Sequence, residues 1–150
     1  KNYDKNGFLS SQGKVDSILA NNFLERFQFL NNSNNSYDTN DFSISEFRGL
    51  SKYNGLKTLT FVTAQLILDF CNQNQLRKIL ICGGGRKNIT LMKLLGKVAT
   101  SIDKINLDGD FIESQAFAFL SVRSFLKKNI SFPETTGVKS ASTGGECIDY

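Results

Sequence analysis

The residues best placed to do chemistry in this chain are three consecutive glycines, Gly83-Gly84-Gly85, and an asparagine three positions later, Asn88. They follow Ile79-Leu80-Ile81-Cys82, a continuous apolar run bounded by Arg77-Lys78, and precede a segment with helical spacing. Such a run reads as a strand buried on both faces. Ligands of open α/β sheets sit beyond the carboxyl ends of the strands. Glycine lets a phosphate, sugar or base approach the backbone closely, and free N–H groups at a following helix start favour anions. The turn is neither G-x-G-x-x-G, since Asn88 takes the last glycine position, nor a Walker A loop, since no Gly-Lys-Ser/Thr follows at the required spacing. Asn88 has two readings that are compatible: a plain helix N-cap, or an amide presented to a ligand.

Glu113 is the second residue of interest. In Asp110-Phe111-Ile112-Glu113 the acids stand at the N-cap and N3 spacing of a capping box. The alternative is a carboxylate held at a helix start, able to accept hydrogen bonds from sugar hydroxyls. Asp108 and Asp110 read as turn and cap residues. Asp103, at the end of a weaker strand, is where a dinucleotide-binding domain would keep its ribose-gripping acid.

These residues need elements to position them. Val15, Ile18, Leu19, Phe23 and Phe27 recur at three- and four-residue spacing and predict a helix over 12–29. Asn31 to Asn35 reads as a loop and 43–50 as a short helix. A longer helix, 57–74, carries Leu59, Val62, Leu66 and Phe70 on one side and Thr63, Ala64 and Ile67 on another; Lys52 to Gly55 is expected to break the chain before it. An apolar second flank predicts packing against a sheet. After the glycine turn come a helix over 89–97, a strand over 98–102 and a helix over 111–128 that ends in Lys127-Lys128, as its dipole favours. Pro133, Gly137, Gly144 and Gly145 follow, spaced as turns. The alternation predicts an α/β fold with the sheet flanked by helices.

Composition narrows the function. The 150 residues suit one domain, able to bury roughly 70% of the unfolded chain's surface. A net charge of +4 arises from scattered Lys and Arg, without a basic run or interleaved aromatics, so nucleic acid is not expected as a partner. With no His, and three widely spaced cysteines (Cys71, Cys82, Cys147), a zinc site, a His-dependent triad and a disulfide framework are set aside; no metal site is expected. No run approaches the ~20 apolar residues of a membrane span and no signal peptide is evident, so the expected location is the cytoplasm. The chain begins at Lys1 rather than Met, which points to a fragment.

The residues also resemble a family. Cys82-Gly83-Gly84-Gly85-x-x-Asn88, followed by Leu91-Met92-x-x-Leu95, is similar to the C-G-G-G-x-x-N-x-x-L-M-x-x-L segment of anhydro-N-acetylmuramic acid kinases. In the same order, Tyr3-Asp4-x-x-Gly7 with Gly13-Lys14-Val15, Thr58-Leu59-Thr60 through Thr63-Ala64, Glu113-x-x-Ala116-Phe117-Ala118-x-Leu120, and Thr136-Gly137 resemble further family segments. The resemblance implies a ribonuclease-H-like lobe of an actin-like, two-lobed sugar kinase, residues 1–150 forming the C-terminal nucleotide-binding lobe. It implies ATP and Mg2+ as cofactors, a homodimer, and a reaction that opens the 1,6-anhydro bond with water and phosphorylates O6 in cell-wall recycling. Gly83, Gly84, Gly85 and Asn88 would contact the nucleotide and Glu113 the sugar. The family's catalytic aspartate lies in an Asp-x-Gly-Pro-Gly-Asn segment that this chain lacks. It is expected upstream of Lys1, and the chain alone is expected to be inactive. Asn35 and Thr39 stand where the family carries basic residues.

Overall fold

The computed structural model describes residues 3–30, 42–146 and 148. Asn35, Thr39, the Asn31–Asn35 loop and Cys147 lie outside them. A 3-10 turn at Lys5–Gly7 leads into helix α1 (Phe8–Ser11), followed by α2 (Ser17–Leu30), a 3-10 turn at Ser45–Phe47 and α3 (Lys52–Gln73). Strand β1 (Ile79–Ile81), a 3-10 turn at Gly84–Lys87, α4 (Ile89–Leu95) and β2 (Ala99–Ser101) come next, then α5 (Ile112–Phe125) and α6 (Pro133–Thr136). β1 and β2 pair in parallel, Ile79 opposite Ala99 and Ile81 opposite Ser101. The architecture is α/β, with helices packed on a small parallel sheet.

α3 organises the interior. On one side, Leu59, Val62 and Leu66 meet Ala20, Phe23 and Phe27 of α2 and Phe47 of the 3-10 turn. The Phe23 and Phe27 rings stack with centroids 4.7 Å apart. On its other flank, Ala64, Ile67 and Leu68 pack on Leu91 and Leu95 of α4 and on Ile81 and Ala99 of the sheet. The apolar second flank therefore faces a sheet, as its sequence requires.

Helix starts differ from expectation where a side-chain cap went unread. α2 begins at Ser17, not residue 12, because Asp16 Oδ1 accepts the Leu19 N–H at 3.0 Å as an N-cap. Gly13 is drawn against the start of α3, where a Cβ would fall 2.1 Å from the Tyr53 carbonyl oxygen. α3 begins at Lys52, with Ser51 as its cap, and Gly55 bonds to the Ser51 carbonyl at 2.8 Å, so 52–55 opens the helix instead of breaking the chain. The segment 43–50 contracts to a single 3-10 turn that buries Phe47. The N-terminal lead-in, Tyr3–Gly13, contains the short helix α1.

Two further expectations are overturned. β1 is not buried on both faces. Ile81 packs on the core while Leu80, pointing to the opposite face, is 51% exposed. The Asp110–Glu113 capping box is not formed either: the N-cap of α5 is Phe111, without a side-chain cap bond, and Glu113 is exposed at the second helical position. Asp110 is engaged elsewhere, as described below. Pro133 opens α6 and Gly137 closes it at φ +68°, so the tail does turn at its glycine.

Candidate functional site

β1 delivers the chain to Gly83, whose backbone (φ +63°, ψ −162°) lies in a region open essentially to glycine alone. The 3-10 turn Gly84–Lys87 follows, and Asn88 Oδ1 accepts the Leu91 N–H at 3.0 Å, capping α4. The cap half of the Asn88 expectation is thus realised. The turn is not crowded: a Cβ on Gly84 would meet nothing within 4 Å, and one on Gly85 would make only ordinary contacts with Leu91 and Ile81. Neither glycine is demanded by internal packing.

The N-terminal lead-in closes over this turn. Tyr3, Asp4, Lys5 and Asn6 together with Gly84, Gly85, Lys87 and Asn88 line a cavity of about 540 Å³. Three of the four expected nucleotide residues are brought together there; Gly83 lies at the turn but not on the wall. Several bonds hold the lead-in. Asp4 accepts the Leu9 and Ser10 N–H groups at 2.7 and 2.9 Å. Burial would raise the Asp4 pKa, but hydrogen bonds from Ser10 and from the Leu9 backbone outweigh it and the carboxyl sits below its usual range. The buried Thr90 hydroxyl of α4 donates to the Gly7 carbonyl at 2.8 Å. Gly7, at φ +71°, lies so close to Asn88 that a Cβ would fall 2.0 Å from its Oδ1.

A larger cavity of about 680 Å³ shares Lys5 and Asn6 and extends past Phe8, Lys57 and Lys93, but touches none of the three glycines. The smaller cavity combines an uncrowded glycine turn with a capping amide, which the larger one does not. Among the described residues no group of three His, Cys, Asp or Glu side chains could hold a metal. Glu113 does not line the glycine-turn cavity.

The charged residues around the turn form one cluster. The Arg86 Nε–H donates to both Asp103 oxygens at 3.0 and 2.8 Å, and Nη1 donates to the Gly83 carbonyl at 2.7 Å and Asp110 Oδ1 at 2.8 Å. Lys87 Nζ adds a second cation to Asp110 at 2.6 Å. The Arg86 guanidinium and then the Lys87 ammonium hold the Asp110 carboxyl far below its usual range. Arg86, followed by the Gly109 N–H, lowers that of Asp103. Asp110, then Asp103, raises the Arg86 pKa. Asp103 is therefore engaged by the Arg86 Nε–H and the Gly109 N–H, which speaks against the ribose-gripping role a dinucleotide-binding domain needs. Asp108 is the turn residue expected, its Oδ1 accepting the Asp110 N–H at 2.9 Å.

The family model for anhydro-N-acetylmuramic acid kinase matches residues 1–149. The chain belongs to that family. It is similar to the anhydro-N-acetylmuramic acid kinase of Pelagibacter ubique, 45% identical over 97% of this chain and 42% of the relative. It is also similar to the proteins of that name from Zymomonas mobilis, 38% identical over 95% of this chain and 41% of the relative, and Rhizorhabdus wittichii, 36% identical over 95% and 41%. The chain thus spans about two fifths of the length of these relatives. No helix among its described residues is long and apolar enough to cross a membrane.

Sequence reasoning missed the roles of Lys87, Arg86 and the Tyr3–Asn6 wall. For the wall a signal existed: Tyr3-Asp4-x-x-Gly7 resembles a kinase-family segment, and a glycine beside polar residues suits a close backbone approach. Arg86 and Asp110 carried none, because an ion pair leaves no periodic trace.

Proposed function

We propose that this chain is the C-terminal, nucleotide-binding lobe of an actin-like kinase with ribonuclease-H-like lobes. The substrate is anhydro-N-acetylmuramic acid; the reaction opens its 1,6-anhydro bond with water and phosphorylates O6, a step of peptidoglycan recycling in the cytoplasm. The observation that carries this is the cavity at Gly84, Gly85 and Asn88 in a member of this kinase family. ATP fits it on one structural ground: the space beside Gly84 is open, so a phosphate or ring can approach where any larger residue would intrude.

In this reading ATP would supply the phosphoryl group and Mg2+ would offset the charge of its phosphates. The glycine turn offers close backbone approach, Asn88 fixes the start of α4 and presents its amide, and Lys87 and Lys5 place positive charge on the wall. Glu113, exposed at the start of α5, is the proposed sugar ligand. The catalytic aspartate belongs to an upstream lobe, and the assembled enzyme is a homodimer.

Gly84→Val tests the site. The structure leaves room for the new side chain, so folding is retained and the binding of Mg·ATP to the chain weakens by at least ten-fold. Unchanged binding by a folded Gly84→Val chain would reduce the turn to a connector. The chain alone is expected to phosphorylate no sugar, because its general base is missing. Phosphorylation of anhydro-N-acetylmuramic acid by the pure chain would overturn the assignment of the aspartate.

A further inference from the structure

Arg86 sits in the middle of the glycine turn yet does not line its cavity, whereas Gly84, Gly85, Lys87 and Asn88 do. Its side chain is only 5% exposed, while its partners Asp103 and Asp110 are half exposed. A guanidinium is buried in this way only where its fork of donors is satisfied. Here Nε spans both oxygens of Asp103 and Nη1 reaches Asp110 and the Gly83 carbonyl. Asp103 also accepts the Gly109 N–H at 3.0 Å, and the Gly109 carbonyl accepts the Gly83 N–H at 2.8 Å. The loop 103–110 is thereby fastened to the turn through backbone and side chain together. Its closeness is such that a Cβ on Gly109 would fall 2.3 Å from Arg86 Nε. α5 begins directly after this loop, with Glu113 in its first turn.

We propose that Arg86 is a positioning residue that locks the glycine turn to the 103–110 loop, so that occupancy of the turn is transmitted to the start of α5 and to Glu113. This rests on the nucleotide-site reading above and adds a coupling between the two ends of the site. Coupling of this kind needs a physical connection that both sites bias, and the Arg86 fork supplies it. Lysine carries its donors on one nitrogen, so it cannot hold Asp103 through one nitrogen while reaching Gly83 and Asp110 through another, as Nε and Nη1 of Arg86 do.

The test uses the 150-residue chain with Mg·ADP as probe, reading affinity by calorimetry and amide hydrogen exchange by segment. Wild-type chain is expected to bind, and binding is expected to slow exchange at 83–88 and also at 108–113. Arg86→Met and Arg86→Lys should each weaken binding at least ten-fold and confine the residual protection to 83–88. The salt dependence of binding should stay as in wild type, because a positioning residue touches no phosphate. Gly109→Ala, which keeps every charge but displaces the guanidinium, should do the same, and it carries the test if Arg86→Met does not fold. Arg26→Met, which removes a cation paired with Glu46 away from the cavity, should leave affinity unchanged. The proposal is overturned if folded Arg86 variants bind like wild type, or keep protection at 108–113. A shallower salt dependence in Arg86→Met would also overturn it, by making Arg86 a direct phosphate contact. A wild-type chain that binds no Mg·ADP would instead sink the nucleotide site itself, and the coupling with it.

Discussion

Gly7→Ala probes how the lead-in and the glycine turn hold one another. Two costs are expected. At φ +71° an alanine is strained by roughly 1–2 kcal/mol. Its Cβ would also lie 2.0 Å from Asn88 Oδ1, so Asn88 must swing away and release the Leu91 N–H it caps. Loss of such a cap is worth about 1 kcal/mol. Together they amount to about 2–3 kcal/mol, or a fall in Tm of about 5–10 °C for a chain of this size. Asn88→Ala alone loses only the cap. With Asn88 already truncated the clash with its side chain disappears, leaving a tight contact with the Thr90 nitrogen at 3.0 Å in both backgrounds. The double variant should therefore cost about 1 kcal/mol less than the sum of the singles, a coupling that a double-mutant cycle resolves. Thermal and urea unfolding followed by circular dichroism supply the three differences. Strict additivity would refute the contact between Gly7 and Asn88, and an unaltered Gly7→Ala chain would refute both the contact and the left-handed turn.

Further outcomes follow from the same structure. Glu113→Gln should leave the melting temperature of the chain nearly unchanged, since Glu113 is exposed and forms no capping bond, while lowering kcat in the intact kinase at least ten-fold; kcat and Tm measured on one preparation decide between ligand and bystander. Phe23→Ala removes a ring that is 3% exposed and stacked on Phe27, and should cost about 3–5 kcal/mol in urea unfolding. Asp103 and Asp110 titrate below their ordinary value in the folded chain, so their stabilisation is fully present above about pH 4 and is lost as pH falls through the lower folded values. The melting temperature should be level from about pH 7 to pH 5 in this respect and decline below about pH 4. Arg86→Met should show a shallower acid decline, with Asp4, the Lys87 pair with Asp110 and the Gly109 bond to Asp103 contributing what remains.

How far each feature was legible depends on the distance over which its cause acts. The strand, glycine turn and helix over 79–95 follow from local order alone: an apolar run, a glycine turn with one backbone angle only glycine adopts, a capping asparagine and a three-to-four period. The two-sided α3 was equally readable, because its apolar positions had to face two partners. The α/β class was therefore determined by the amino-acid sequence itself, through periodicity and turn chemistry.

Tertiary structure decided the competition for polar side chains. Asp110 had the spacing of a helix cap, but a cap is one weak local bond, and Arg86 and Lys87, brought close by the parallel pairing of β1 and β2, offer three charge-assisted ones. Asp103 was drawn to the same arginine for the same reason. The exposure of Leu80 was likewise invisible in a run of four apolar residues, since burial depends on which layers cover each face and not on the run. The cavity wall at Tyr3–Asn6 needed the Thr90–Gly7 bond, which spans 83 residues, to bring it over the glycine turn. Backbone preferences act between neighbours and can be read in order. Contacts between distant polar groups are fixed only once packing has set which of them meet.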